Sequence, residues 1–388
     1  MRILHTSDWH IGHRLYERSR IDEHRQFLDW LLTTLQENAV DVLLVSGDIF
    51  DTALPSSEAT DLYYQFLFRL YRETRAHAVI TAGNHDSPMR LAAPRDFLRM
   101  GRIHVVGIAS DPIECVITLP AEKPRVAIAA VPYLSENELS HISFETEPER
   151  AERYRARLKT FYHQCIECMP PALPKVLMGH LFVHGGQVGE SERNIQIGGA
   201  TAMQIGDFPD DVAYVALGHL HRPHAISGSS YPVQYAGSAL PLRFTEASYT
   251  KKVYLLDIST AGDVELEEIE IPVFRELHTV TGNLDEVIAA AMAPDWDGKY
   301  IQVQLRLDRP EVGISDRIRE EFYKGGGAVL SVEVELPVQT ERQEIPIEDM
   351  QQPIEIFGQF CKEKFNESPD ESMMETFNEL LRLVEEQA

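Results

Sequence analysis

Short apolar runs alternate with helical stripes through the first hundred residues. Residues 2–7 read as a short buried strand, and His24, Phe27, Leu28, Leu31, Leu32 and Leu35 then recur at the spacing of one helix face. Residues 40–45 form an unbroken apolar strand, followed by a helix-like stretch over 58–75 and a strand over 78–81. Two successive strand–helix–strand units predict parallel strands covered on both faces, because only such strands are apolar at every position. Further strands are predicted over 125–131, 175–178, 212–217, 231–235 and 252–258, with a helix from about 148 to 168 between the first two.

Near Pro272 the pattern changes. A strand over 276–281, a helix over 284–292, a strand over 300–307, a helix over 314–323 and a strand over 328–336 form a separate α/β module, the last strand entered through Gly325-Gly326-Gly327. Residues 338–353 are polar and rich in Gln and Glu, as a linker would be. Two short amphipathic helices follow. Ile354, Phe357, Phe360, Cys361 and Phe365 stripe the first; Met373, Phe377, Leu380, Leu381 and Val384 stripe the second. The second opens with Ser368-Pro369-Asp370-Glu371, a capping box with proline at its first turn. The expected boundaries are 1–272, 273–338 and 339–388.

Composition narrows the class. Of 388 residues, 44% are hydrophobic and 25% charged, ordinary for a globular protein. No apolar run approaches the roughly 18 residues a membrane span needs. The N-terminus enters a strand at once without a signal pattern, and four cysteines are too few and scattered for a disulfide framework, so a cytoplasmic address is expected. Cys165 and Cys168 form a C-x-x-C, but a metal knuckle needs a second pair, and helical cysteines three apart can simply pack. The net charge of −25 disfavours contact with nucleic acid. Its distribution softens that: residues 341–388 hold 13 acidic and 4 basic residues, and bound cations would neutralise carboxylates nearer the N-terminus.

Five short blocks close apolar strands: Asp8-Trp9-His10, Gly47-Asp48, Gly83-Asn84-His85-Asp86, Gly179-His180 and Gly218-His219-Leu220-His221. At the carboxyl edge of a parallel sheet such loops converge on one crevice. The donors are hard carboxylates, neutral imidazoles and one amide oxygen, which suit Mn, Fe or Zn; no thiolate selects a soft site. Any one block is commonplace. Their order and placement together predict a metal centre.

The series D-x-H, G-D, G-N-H-D, G-H and G-H-x-H resembles the signature of calcineurin-like metallophosphoesterases. His5-Thr6-Ser7-Asp8-Trp9-His10-Ile11-Gly12-His13, Gly47-Asp48-Ile49-Phe50-Asp51 and Ala82-Gly83-Asn84-His85-Asp86-Ser87 narrow the likeness to the SbcD family, nuclease subunits of a bacterial DNA-end-processing complex. That resemblance implies an α/β metallophosphoesterase sandwich, two β-sheets flanked by helices, with a small α/β capping domain that binds DNA and a C-terminal helical pair. It implies one metal held by Asp8, His10, Asp48 and His221, and a second by Asp48, Asn84, His180 and His219, with Asp48 bridging. A carboxylate shared by two cations about 3.5–4 Å apart leaves positions for the water that attacks phosphorus in line. Mn is the expected ion of both sites. His85 would act catalytically on the phosphate or leaving group, an imidazole with an ordinary pKa near 6.5 being able to serve as acid.

The implied activities are 3′-to-5′ exonuclease on duplex ends and endonuclease on single strands and hairpins. The implied partners are DNA, the SMC-like ATPase SbcC docked on the C-terminal helices, and a second copy of the chain within a heterotetramer. The resemblance places the protein in the bacterial cytoplasm at the nucleoid, with no membrane contact. Candidate substrate contacts are Asp51, Asp86, Arg14, Arg18, Arg20 and Arg222. Asp51 departs from eukaryotic and archaeal relatives, which carry histidine there, and reads equally as a solvated turn carboxylate. Asp86 either orients His85 or serves its turn. Arg14, Arg18 and Arg20 form a basic loop, though Glu17, Asp22 and Glu23 are interleaved. Arg90 and Arg95 have similar standing; His13, His184 and His224 match no ligand position. Two rival readings remain: a small-molecule phosphodiesterase acting on cyclic nucleotides or nucleotide sugars, and a scaffold without catalysis.

Overall fold

The computed structural model describes residues 1–144, 148–187, 203–309, 311, 313–336 and, beyond these, 356–358, 360–362, 369, 373, 374 and 376–378. Two six-stranded sheets form the body. In the first, the strands run in the order Val264–Glu270, Lys252–Ile258, Arg2–Thr6, Val42–Ser46, His77–Thr81, Ile103–Val106. The last four are mutually parallel, and the first two pair antiparallel at one edge. The second sheet runs His224–Ala225, Val233–Tyr235, Tyr214–Gly218, Lys175–His180, Val126–Ala130, Val116–Leu119, parallel across its middle four strands.

Strand alternation explains the unbroken apolar runs. Ile3, Val42, Leu44 and Val79 face the second sheet and share its core with Ile128, Val176, Leu177 and Val215. Their neighbours Leu4, Leu43, Val45 and Ile80 point the other way, onto the helices Ile21–Glu37 and Ser57–Glu73. Helix Arg150–Glu167 covers the outer face of the second sheet through Leu158, Phe161, Tyr162 and Cys165. Cys165 of the C-x-x-C is buried in this core, while Cys168 is exposed.

The third sheet, Leu277–Gly282, Tyr300–Arg306 and Ala328–Glu335, is parallel. Its helices Leu284–Ala291 and Ile314–Lys324 bury one face around Ile301, Val303, Ile318 and Phe322. Asn283 and Glu286 start the first helix as a capping box, each side chain accepting the other's backbone N–H. Leu15, Phe244, Leu277 and Tyr300 join this module to the body. Residues Met1–Glu335 make one compact unit and Leu336–Ala388 another. Within the second, the rings of Phe357 and Phe377 stack 4.1 Å apart, so the two predicted stripes meet each other there. The linker expected over 338–353, the capping box at Ser368, and Ile354, Phe365, Leu380, Leu381 and Val384 lie outside the described residues. No helix among the described residues is long and apolar enough to cross a membrane.

Candidate metal centre

All five blocks lie at carboxyl ends of strands, three from the first sheet and two from the second. The two sheets therefore build one site along their shared edge. The edge is laced by backbone bonds: Asp8 N donates to Gly47 O and His10 N to Asp48 O, both at 3.0 Å. Across the sandwich, His219 N donates to Asp8 Oδ1 at 3.0 Å.

The turns are strained in the same places. Asp8, His10, Asp48 and His219 take φ of 48, 46, 50 and 99°, a region L-residues rarely enter. Such strain collects where surrounding structure forces a side chain inward. Close approach also needs glycine. A Cβ on Gly47, whose φ is +83°, would stand 2.3 Å from His180 Nδ1, and one on Gly83 would stand 2.1 Å from Asp48 Oδ1.

The side chains form two overlapping groups. Asp8, His10 and His221 bring ligand atoms within 4.8 Å of one another, and so do Asp8, Asp48 and His180. Asn84 Oδ1 closes the second group, 2.9 Å from His180 Nε2 and 3.0 Å from His219 Nδ1. Asp48 Oδ2 lies 3.6 Å from His10 Nε2 and 3.3 Å from His180 Nε2, between the two groups. Both ring nitrogens of buried His10 lack a hydrogen-bond partner, although Nδ1 comes within 3.4 Å of Asp51 Oδ1. A buried imidazole with orphaned nitrogens beside two carboxylates fits a divalent cation.

Electrostatics follow from this crowding. Burial opposes charge on Asp48 and His180, yet each holds the other ionised: Asp48 lies well below the usual carboxylate range, and His180 is pushed up to about 9. Burial lowers His10. Glu246 would rise with burial, but the Lys251 ammonium and His221 bring it below its ordinary value.

His85 stands beside the groups rather than in them. Its backbone N–H donates to Asp48 Oδ1 at 2.8 Å, its Nδ1 meets the Asp51 carbonyl at 2.9 Å, and its ring lies edge-on to His10 at 4.8 Å.

Two expected substrate contacts, Asp86 and Arg20, are corrected, and so is the turn-carboxylate reading of Asp51. Asp86 is buried, and its oxygens accept the backbone N–H groups of Ile49, Phe50 and Gly83, so it holds the turn and neither faces substrate nor orients His85. Asp51 is no solvated turn carboxylate: Oδ1 contacts His13 at 3.0 Å as well as His10. Arg20 is 1% exposed and bound to Glu23 and to the Pro241 carbonyl, because it begins a helix facing inward. Arg14 and Arg18 are exposed on a hairpin, Arg14–Leu15 paired with Arg18–Ser19. Exposed Arg222 lies over the Tyr249 ring. His224 bonds Gln187 N and the Arg222 carbonyl, away from the ligand groups. The sequence reading missed Glu246 and Lys251, which lie beyond the last motif with nothing local to mark them.

The family model for calcineurin-like phosphoesterase matches residues 1–223. The D subunit of nuclease SbcCD from Bacillus subtilis (strain 168) is 31% identical over 393 residues, spanning 100% of this chain and 99% of that protein. The proteins of that name from Escherichia coli (strain K12) and Rhodobacter capsulatus are 35% and 36% identical. They align over 74% and 81% of this chain, and 73% and 82% of their own lengths. A crystal structure of a dimetal phosphatase from Danio rerio overlaps 70% of this chain and 98% of its own, at 13% identity and a TM-score of 0.37, too low to carry an inference.

Proposed function

The chain belongs to the calcineurin-like phosphoesterase family and, within it, to the D subunits of nuclease SbcCD, and from that premise we propose a DNA nuclease that works with two Mn ions. The observation that carries this reading is the convergence of Asp8, His10, Asp48, Asn84, His180, His219 and His221 from the strand ends of two sheets.

Asp8, His10, Asp48 and His221 hold one cation, and Asp48, Asn84, His180 and His219 the other. The contacts of Asp48 with His10 and His180 support its role as the bridge. Bound there, the cations would neutralise charge on the phosphoryl oxygens and make water nucleophilic at neutral pH. His85 handles the leaving oxygen. Its Nδ1–H donates to the Asp51 carbonyl, which leaves Nε2 to carry a proton.

DNA approaches across Arg14 and Arg18. A groove lined by His13, Arg14, Tyr16, Arg243, Gln304 and Gln302, the last held by Glu333 in the same lining, leads from beside Asp51 to the polar face of the small module. Its arginines suit phosphates and its amides suit bases or sugars. The activities are 3′-to-5′ exonuclease on duplex ends and endonuclease on single strands and hairpins. SbcC, the ATPase of the complex that its relatives are named for, docks on the C-terminal helices. Two copies of the chain pair through the apolar surface of Phe68, Tyr71, Phe97 and Met100, of which Phe97 is 76% and Met100 82% exposed.

The test is a substrate panel with Mn: hairpin and single-stranded oligonucleotides, duplex ends, cyclic nucleotides and nucleotide sugars. Cleavage confined to the DNA substrates is expected. Turnover of the small molecules alone would establish the rival reading.

A further inference from the structure

The four ligand histidines are not held alike. His221 Nδ1 lies 3.3 Å from Glu246 Oε1, and His10 Nδ1 lies 3.4 Å from Asp51 Oδ1. His180 Nδ1 instead meets the Ser46 carbonyl at 2.9 Å, a neutral acceptor, and His219 turns Nδ1 towards Asn84 at 3.0 Å. Among the described residues, a carboxylate that is not itself a ligand therefore supports one group of ligands only.

The supporting carboxylates are themselves fixed. Glu246 is 2% exposed and takes Lys251 Nζ at 2.8 Å and Leu242 N at 3.2 Å. Lys251, also buried, donates to Ser238 Oγ at 2.7 Å and to the His221 carbonyl at 3.0 Å. Such an ion pair is costly to desolvate and a poor source of stability. Here it grips the ring and the backbone of the same histidine. Asp51 is braced by His13, whose Nε2 reaches the Leu242 carbonyl at 3.1 Å. One residue, Leu242, thus serves both clamps, Glu246 through its N–H and His13 through its carbonyl.

We propose that Asp51 and Glu246 are positioning residues which make the cation site of His10 and His221 the tighter of the two. This rests on the ligand grouping given above. The Glu246 carboxylate on His221 Nδ1–H fixes the tautomer that offers Nε2 to a cation and raises the basicity of the ring. The Asp51 charge 3.4 Å from His10 Nδ1, though outside hydrogen-bond geometry, favours the same tautomer there. Losing such a partner costs about 10–100-fold in metal affinity. The Ser46 carbonyl fixes a tautomer too, but adds no charge.

The experiment titrates the metal-stripped full chain with Mn²⁺, following heat and, by electron paramagnetic resonance, free Mn²⁺. The wild type should fill two sites in sequence. Glu246→Gln and Asp51→Asn should each weaken the first-filled site about 10–100-fold and leave the second unchanged. Circular dichroism and melting without metal accompany each variant. Should Glu246→Gln unfold for want of a partner for Lys251, the half-buried Asp51→Asn decides. Wild-type binding by that variant, or equal weakening of both sites as general loosening would give, overturns the proposal and leaves the ligand grouping standing. A wild type that never takes up two Mn²⁺ overturns the grouping itself.

Discussion

His85 stands outside the ligand groups: its Nδ1 meets the Asp51 carbonyl and its ring lies edge-on to His10. Binding and chemistry should therefore separate at this residue. His85→Gln is expected to keep both metals while single-turnover cleavage falls by about 10²–10⁴-fold, the usual cost of losing an acid. Elemental analysis beside the cleavage assay checks this, and parallel loss of metal and activity would make His85 a ligand. The ligand types were legible because each sits in a short block with glycine or at fixed spacing. Their supports were not. Asp51 and Asp86 are both turn aspartates in sequence, yet one faces histidines and the other three backbone N–H groups. Only the folded turn tells them apart. Arg20 read as part of a basic loop because nothing nearby marks an inward-facing position, and its partner Glu23 read as a screening charge.

At the scale of elements, the site is a junction between two sheets, and Asp48 and His180 face each other across it at 3.3 Å. Their mutual charge has a pH signature. Because His180 is raised to about 9 in the folded state, its pairing stabilises the metal-free protein fully below the unfolded histidine value near 6.5. That contribution is lost as pH rises through about 9. A cation at His180 must displace the same proton, so affinity at that site should fall as pH drops below about 9. Calorimetry of Mn²⁺ uptake at pH 7.5, in buffers of different ionisation enthalpy, should register about one proton released. Heats that do not vary with buffer would refute the pairing. The central strands were readable as apolar runs because the opposing sheet buries one face and helices the other. The edge strand Val264–Glu270 was not, since glutamates alternate along it and it is half exposed. Neither was the hairpin of Arg14–Leu15 and Arg18–Ser19, whose turn residues Tyr16 and Glu17 take φ of 45 and 65° without the glycine or asparagine that usually announces such a turn.

For the molecule as a whole, the question is how a chain of net charge −25 handles a polyanion. Part of the answer is local, since two cations would offset the carboxylates at the site. Part is division of labour. Residues Met1–Glu335 form a compact unit that contains every proposed ligand, and the acidic terminal segment forms another. A chain ending at Leu336 should keep Mn-dependent cleavage of single-stranded DNA, and lose co-purification with the ATPase and ATP-stimulated digestion of duplex ends. Complex formation at native affinity would move the docking surface into the body. The central claim, that converging strand ends hold two cations which cut DNA, is tested most directly on the metal-stripped full chain with a labelled hairpin oligonucleotide. Mn²⁺ is added stepwise while the bound ion is counted. Cleavage should appear as the second equivalent binds, and Asp48→Ala should neither take up two ions nor cut. Wild-type cleavage by Asp48→Ala, or by the native chain without any divalent cation, would contradict the account.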